Sequence, residues 1–214
     1  HRESIEAALA SLPQAENMHF YYNPIPERVR EMCRNQGDWR FYAYYKRWQK
    51  EALNMALRIV SEHEIDVLHQ LNMIGFREPG YLWKIEGIPF VWGPVGGLKQ
   101  FPPAYLQGSG LKMRSFVRLK NFINTLQIRF DRRVDQAMRR ANLLISSIPD
   151  SYRAIKRYKQ LESVLIPETG CFLTENVPTG RFYNQDFNVM WVGKFDFRKQ
   201  LPLALKAVAA TGNR

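Results

Sequence analysis

Cysteine is nearly absent from the sequence, which has only Cys33 and Cys171 among 214 residues. Two separate cysteines supply neither a disulfide framework nor a metal cluster, which predicts a reducing compartment and a cytoplasmic location. Long apolar runs are absent too, and no stretch reaches the length that a bilayer-spanning helix requires. The polar residues 1–3 lead into a helical pattern that lacks the features of a signal peptide.

Motifs for several chemistries are also lacking. The sequence contains no Walker phosphate-binding loop, no nucleophile elbow and no GxGxxG fingerprint of dinucleotide binding. His19 and His63 have no metal-type spacing with cysteines or carboxylates, so no metal site is expected. Repeats and low-complexity tracts are missing as well. A hydrophobic content of 45% is enough to bury a core, which excludes an intrinsically disordered chain.

Acidic residues are few relative to basic ones. The 20 Asp and Glu stand against 31 Lys and Arg, which gives a net charge of +11. This charge suits nucleic acid, an anionic membrane face or a phosphate-bearing substrate. Much of the excess lies in Lys112–Arg140, predicted as one long helix with nine basic and two acidic residues. The helix either rests on anionic lipid or covers the sheet with its apolar stripe and turns its charges to water. The stripe comprises Phe116, Leu119, Ile123, Leu126, Phe130, Val134 and Ala137.

Six short, nearly continuous apolar runs are typical of strands that are buried on both faces of a parallel sheet. They occupy residues 18–22, 65–69, 88–92, 142–146, 163–166 and 188–193. Helical patterns separate most of them, at residues 38–62, 112–140, 147–160 and 201–210. The alternation predicts an α/β fold with a Rossmann-like, mostly parallel sheet that is flanked by helices.

Two segments rich in Gly and Pro interrupt the alternation, at residues 93–110 and 167–186. The first is a long loop of a kind that often carries function, and the second is typical of an interdomain connection. We therefore divide the chain into a domain with its linker at residues 1–180 and a strand-helix unit of a second domain at residues 186–214. One such unit cannot bury its own apolar face, so the parent protein is expected to continue beyond Arg214.

Ligands of parallel sheets bind where the strands end, and two strand ends are distinctive here. The strand at residues 88–92 leads into the loop WGPVGG, whose glycine amides can approach an anion closely. A tight turn without a ligand is the alternative. The strand at residues 188–193 leads into Lys194, Arg198 and Lys199 ahead of a helix, which suits a diphosphate. A solvated basic loop fits the same pattern.

His69 ends a predicted strand and either touches a substrate or serves as a hydrogen-bonded core residue. A group of aromatic residues could also form a stacking platform for nucleic acid. Their helical spacing is more typical of core packing, so nucleic acid is the less favoured partner. The group comprises Tyr42, Tyr44, Tyr45 and Trp48.

Several segments together resemble family-4 (group 1) bacterial glycosyltransferases of the GT-B fold. IDVLHQ at residues 65–70, Gly75 with Pro79-Gly80 and Trp83, and PFVWGPVGG at residues 89–97 resemble the N-terminal domain of the branch with a WGPVGG loop. ANLLISS at residues 141–147 is similar to the family's A-D-x-I-I-x-x-S strand. Residues 192–207, with VGKF, RK and LALKA, are similar to the V-G-R-x-x-x-x-K-G opening of the second domain. The similarity covers most of the chain.

The resemblance implies an enzyme that transfers a sugar from a nucleotide-sugar donor with retention at the anomeric carbon, without a metal or other cofactor. The implied acceptor is a saccharide or a lipid-linked saccharide, in cell-envelope or exopolysaccharide synthesis, which suits a peripheral location on the inner membrane face. The implied site residues are Gly193, Lys194 and Lys199 for the donor diphosphate, Gly93, Gly96 and Gly97 in the cleft loop, and His69 and Asn72 on the acceptor side.

The chain also departs from the family pattern. Lys194 stands where the family has Arg, which keeps the charge and loses the bidentate fork. Gln200 replaces the usual Gly, and Gly93 stands where many members have a cleft histidine, so no catalytic acid or base is assigned. The family's first strand with its glycine-rich turn and its E-x7-E motif have no counterpart here. We therefore expect a fragment that is inactive by itself.

Overall fold

The computed structural model describes residues 2–34, 40–71, 73, 75–106, 109–170, 189–193, 195 and 199–211. The chain divides into two compact units, which are treated separately below. The first unit consists of His1–Gln100 and Lys120–Glu168, and the second of Phe101–Leu119 and Thr169–Arg214.

A four-stranded parallel sheet organises the first unit. Its strands are β1 (Leu68–Gln70), β2 (Phe90–Val95), β3 (Leu143–Ser146) and β4 (Val164–Leu165). They are hydrogen-bonded in chain order, and every pair is parallel. The predicted α/β class with a parallel, helix-flanked sheet is therefore confirmed, and four of the six predicted strands overlap the observed ones.

The other two predicted strands do not form. Residues 18–22 are irregular and pair with no strand among the described residues. Met18, Phe20 and Tyr21 are exposed, and the rings of Phe20 and the half-buried Tyr22 stack on each other at 6.4 Å. Residues 189–193 likewise form no strand, and Met190 is 86% exposed. Alternating or apolar sequence cannot make a strand without a neighbour to accept its backbone hydrogen bonds, and the prediction was wrong for this reason.

The described residues contain seven α-helices. They are α1 (Arg2–Leu9), α2 (Glu27–Arg34), α3 (Phe41–Glu62), α4 (Leu111–Phe130), α5 (Arg132–Arg140), α6 (Pro149–Lys159) and α7 (Leu201–Ala210). The predicted bounds of α7 are confirmed. Helix α6 begins on a proline, whose fixed φ and missing N–H suit the first turn of a helix. It ends at Lys159, and the C-cap residue Gln160 has a left-handed φ of 57°. Asp38, the first residue of the helical pattern predicted at residues 38–62, lies outside the described residues.

The predicted long helix at residues 112–140 is two helices, so that prediction was wrong. Asp131 separates α4 from α5 with an extended ψ of 110°. Its side chain accepts hydrogen bonds from the backbone N–H groups of Arg133 at 2.9 Å and Val134 at 3.1 Å. An aspartate that caps two otherwise unpaired N–H groups starts a new helix, because the first turn has no internal acceptors for them.

The core of the first unit lies against the sheet. Helix α5 contributes Val134, Ala137 and Met138, all with 0% exposure, at the i, i+3, i+4 spacing of one helix face. They meet Phe90 and Trp92 of β2, and partly buried residues of α3 pack on the same cluster. The part of the predicted stripe that falls on α5 therefore faces the core as expected.

The part of the predicted stripe that falls on α4 does not face the core. The residues that α4 buries are Val117, Asn124 and Ile128, whereas Leu126 and Phe130 are 40% and 65% exposed. The expectation that the whole stripe covers the sheet was wrong for α4. The face that turns inward includes the polar Asn124, and apolar periodicity alone does not predict that this face is the buried one.

Candidate functional site

The carboxyl ends of β1, β2 and β3 meet at one edge of the sheet, where ligands of parallel sheets bind. Strand β2 runs to Val95, further than predicted, so Gly93 lies within the strand rather than in a loop after it. The pairing of β2 with β3 shifts in register between Trp92 and Val95.

Gly93 is required by the close approach of two strands. Its φ of 143° is a conformation that other residues rarely adopt. A Cβ atom here would press on the carbonyl oxygen of Ile145 and lie 2.6 Å from the Ile145 Cβ. Gly97 also has a positive φ, of 74°, with Gly75 at 3.6 Å from the position of its missing Cβ. Packing therefore requires glycine at position 93, whereas at Gly97 the contact distance is ordinary and only the positive φ favours glycine.

Backbone hydrogen bonds hold the segment after β2 in place. The carbonyl oxygen of Val95 accepts from both the N–H and the hydroxyl of Ser147, each at 3.1 Å. The Gly96 carbonyl accepts from the Phe76 N–H at 3.2 Å. These carbonyl groups are therefore bound within the protein, and the segment is fixed against its neighbours before any ligand arrives.

His69 contacts Gly93, and two residues of a common site would be close together in this way. Its Nε2 atom lies 2.8 Å from the Gly93 carbonyl oxygen. Because a carbonyl only accepts, Nε2 carries the proton, and Nδ1 is the acceptor in the neutral ring. The side chain remains exposed. Asn72, its predicted companion, lies outside the described residues.

The second unit contains the predicted diphosphate residues. Gly193 and Lys199 are adjacent, because a Cβ on Gly193 would lie 3.5 Å from Lys199 Cγ and 3.0 Å from the Trp191 ring. The Trp191 indole N–H donates to the Lys199 carbonyl oxygen at 3.4 Å. Lys199 is exposed and stands two residues before α7. Lys194 lies outside the described residues.

A buried charged cluster in the first unit was missed from the sequence. The Glu78 side chain is 4% exposed and lies 2.9 Å from Arg133 Nη2 and 3.6 Å from Lys46 Nζ. Burial raises the pKa of Glu78, while the positive charges of Arg133 and Lys46 work against that increase. Arg133 also donates to the Arg77 carbonyl at 2.9 Å, so the cluster joins the loop after β1 to helix α5.

Two buried glutamines, Gln70 and Gln49, explain a further glycine, Gly80, in the loop after β1. Gly80 has a φ of 63°, and a Cβ there would lie 2.7 Å from Gln70 Cδ and 2.9 Å from Gln49 Oε1. Gln49 donates to the hydroxyl of Tyr45 at 2.7 Å, and burial raises the pKa of that hydroxyl. Gln70 and Gln49 are each 5% exposed. Glutamines on a strand and on a helix give no hydrophobic signal that would predict their burial.

Three members of the aromatic group on α3 line a cavity of about 600 Å³ in the first unit, namely Tyr44, Tyr45 and Trp48, whereas Tyr42 is 43% exposed. Tyr45 lies between Phe41 and Trp48, with ring centroids 5.8 and 5.9 Å away. The indole N–H of Trp48 donates to the Asn23 carbonyl at 2.9 Å. Tyr45 and Trp48 thus pack on neighbouring rings and on the chain before α2, as expected for side chains that contribute to packing.

The protein is therefore of the α/β class, with a parallel sheet whose strands β1, β2 and β3 end at an edge that contains glycines. Comparison of the chain with protein-family models, curated proteins and solved structures finds no match. None of the described helices is both long and apolar enough to cross a membrane. Within the same residues, no three His, Cys, Asp or Glu side chains are grouped as metal ligands.

Proposed function

We propose that the chain belongs to a retaining glycosyltransferase of the GT-B type, and that the parent protein transfers a sugar from a nucleotide-sugar donor to a saccharide or lipid-linked acceptor. The observation that carries the proposal is the adjacency of Gly193 and Lys199 before α7. These are positions that the motif resemblance assigns to the donor diphosphate. The parallel sheet with His69 beside Gly93 is in keeping with the acceptor side of such an enzyme.

The chemistry that Lys199 supplies is charge stabilisation. Departure of the leaving group puts negative charge on the diphosphate, and without a metal this charge must be met by Lys or Arg and by backbone N–H groups. Gly193 suits this role because the missing side chain lets the backbone approach a phosphate closely.

The test is the Lys199→Ala variant of the parent protein, with UDP-, GDP- and ADP-sugars as donors and release of the nucleoside diphosphate as the readout. We expect turnover with the active donor to fall by at least about tenfold, as for other single charge-stabilising groups. Lys206→Ala is the matched control, because it removes an exposed lysine from the same unit, on α7. Equal kinetics of the two variants and the wild type would overturn the assignment.

A further inference from the structure

Helix α4 has two opposite faces, and within the described part of the chain one of them is buried while the other is exposed. The inward face buries Val117, Asn124 and Ile128, with 3%, 6% and 3% exposure. Asn124 donates to the Gly97 carbonyl oxygen at 3.2 Å, which fixes this face to the segment after β2. The rotation of α4 about its axis is therefore set by contacts that leave the other face in water.

That other face is rich in large apolar side chains. At 100° per residue its members fall within an arc of about 140°, centred opposite the buried residues. They are Leu111, Phe116, Leu119, Phe122, Ile123, Leu126 and Phe130, with exposures of 80, 59, 57, 60, 44, 40 and 65%. We call these seven residues the outer stripe. A continuous stripe of this kind on a protein surface marks a binding surface, because scattered single residues would need no partner.

Basic residues border the outer stripe. Arg118 and Arg129 project beside one margin and Lys120 beside the other, and all three are exposed. Helix α4 contains five Lys and Arg and neither Asp nor Glu. On α5, by contrast, Arg133 binds Glu78 and Arg139 binds Asp135. The cations available to an outside partner are therefore concentrated on α4 rather than on all of residues 112–140.

The charge selects among partners. A second copy of the chain would bring another all-basic helix against this one and add to the repulsion between two molecules of net charge +11. An anionic bilayer surface offers acyl chains to the stripe and phosphates to its borders. Lysine and arginine side chains reach such headgroups while their stems stay in the apolar layer.

We propose that α4 is a membrane-surface helix that lies in the plane of an anionic bilayer, with the outer stripe among the acyl chains and Arg118, Lys120 and Arg129 at the phosphates. This inference does not rest on sugar transfer, and it would stand if the glycosyltransferase proposal failed. Of the partners that suit the net positive charge, it selects the anionic membrane surface.

The test is binding of the chain to vesicles of phosphatidylcholine alone and of phosphatidylcholine with about one third phosphatidylglycerol. We expect at least tenfold tighter binding to the anionic vesicles, with a loss of affinity as salt rises. The double variant Phe122→Ser, Leu126→Ser should lower this binding at least tenfold, because it removes the centre of the outer stripe. Lys120→Gln with Arg129→Gln should lower binding to anionic vesicles only.

Matched controls separate the surface from general effects. Leu57→Ser removes an exposed apolar residue of α3, and Lys50→Gln removes an exposed lysine of the same helix; both should bind as the wild type does. The side chains replaced on α4 are exposed, so circular dichroism should show unchanged helix content. Equal binding to both kinds of vesicle, or wild-type binding by the double serine variant, would overturn the proposal. So would a dimer in light scattering that the double serine variant abolishes, since the stripe would then join two copies.

Discussion

Arg133 Nη2 lies 2.9 Å from the Glu78 carboxylate, although 55 residues of sequence separate the two. The pair joins the loop after β1 to helix α5, whose next turn carries the core residues Ala137 and Met138. Arg133 retains a bond to the Arg77 carbonyl, so it loses only part of its partners when Glu78 is removed.

From this arrangement we expect Glu78→Ala to lower the free energy of unfolding by about 1–3 kcal/mol, because a largely buried guanidinium loses its counter-ion. Glu51→Gln is the control. It breaks the exposed Arg47–Glu51 pair of 3.4 Å and should cost no more than about 0.5 kcal/mol. Urea unfolding measures both variants, and an equal loss in the two would show that the buried pair contributes no more than a surface pair.

Gly93 gives the second prediction. Alanine there has to adopt a φ of 143° and to displace Ile145 of the neighbouring strand, so Gly93→Ala should cost about 3 kcal/mol or more. Gly87→Ala separates the two causes, because Gly87 has a φ of 80° but nothing within 4 Å of its missing Cβ. It should cost only about 1 kcal/mol. If thermal unfolding showed the same loss for both, the strand contact would play no part.

Asp131 gives the third. Its carboxylate caps α5 through two backbone N–H groups, so Asp131→Ala should lower stability by about 1 kcal/mol. Asp131→Asn keeps an acceptor oxygen and should stay within a few tenths of a kcal/mol of the wild type. Chemical denaturation with both variants checks the cap, and a loss for Asn as large as for Ala would indicate that the negative charge rather than the hydrogen bonds matters.

The sequence predicted those parts of the fold in which apolar residues follow one another or recur regularly. The bounds of α7 and the positions of β1 to β4 are examples, since a buried parallel strand is apolar at nearly every position. It did not predict the break at Asp131, because an acidic residue in a basic helical run resembles a solvated charge until its side chain is seen to cap two N–H groups.

The sequence pattern also failed to predict which face of α4 is buried and where the charged cluster forms, for a different reason. Asn124 turns inward because Gly97, distant in sequence, offers it a carbonyl oxygen. Glu78 is buried because Arg133 and Lys46 come to it from two helices. Polar residues that become buried through a distant partner have no local signature. Two other pairs are adjacent, His69 with Gly93 and Gly193 with Lys199. The sequence had already identified all four as candidate site residues.

The fourth prediction concerns pH and rests on Asp135 in the first turn of α5. Burial alone would raise the pKa of this carboxyl, but hydrogen bonds from Lys159 and Arg139, both at 3.0 Å, together lower it. A folded-state pKa below the unfolded value of 3.8 means that ionised Asp135 adds stability above that value. The contribution disappears as pH falls through the folded-state pKa.

We therefore expect Asp135→Asn to be less stable than the wild type at pH 7, and the difference to shrink steadily when pH is lowered from about 5 towards 2. Lys159 increases the loss of stability in this variant, because its side chain is only 3% exposed and loses its counter-ion. Lys159→Met in the Asp135→Asn background removes that unpaired ammonium group and should recover part of the stability at pH 7. Urea midpoints at a series of pH values measure all three proteins. A difference between Asp135→Asn and the wild type that stays constant with pH would exclude ionisation of Asp135 as its source.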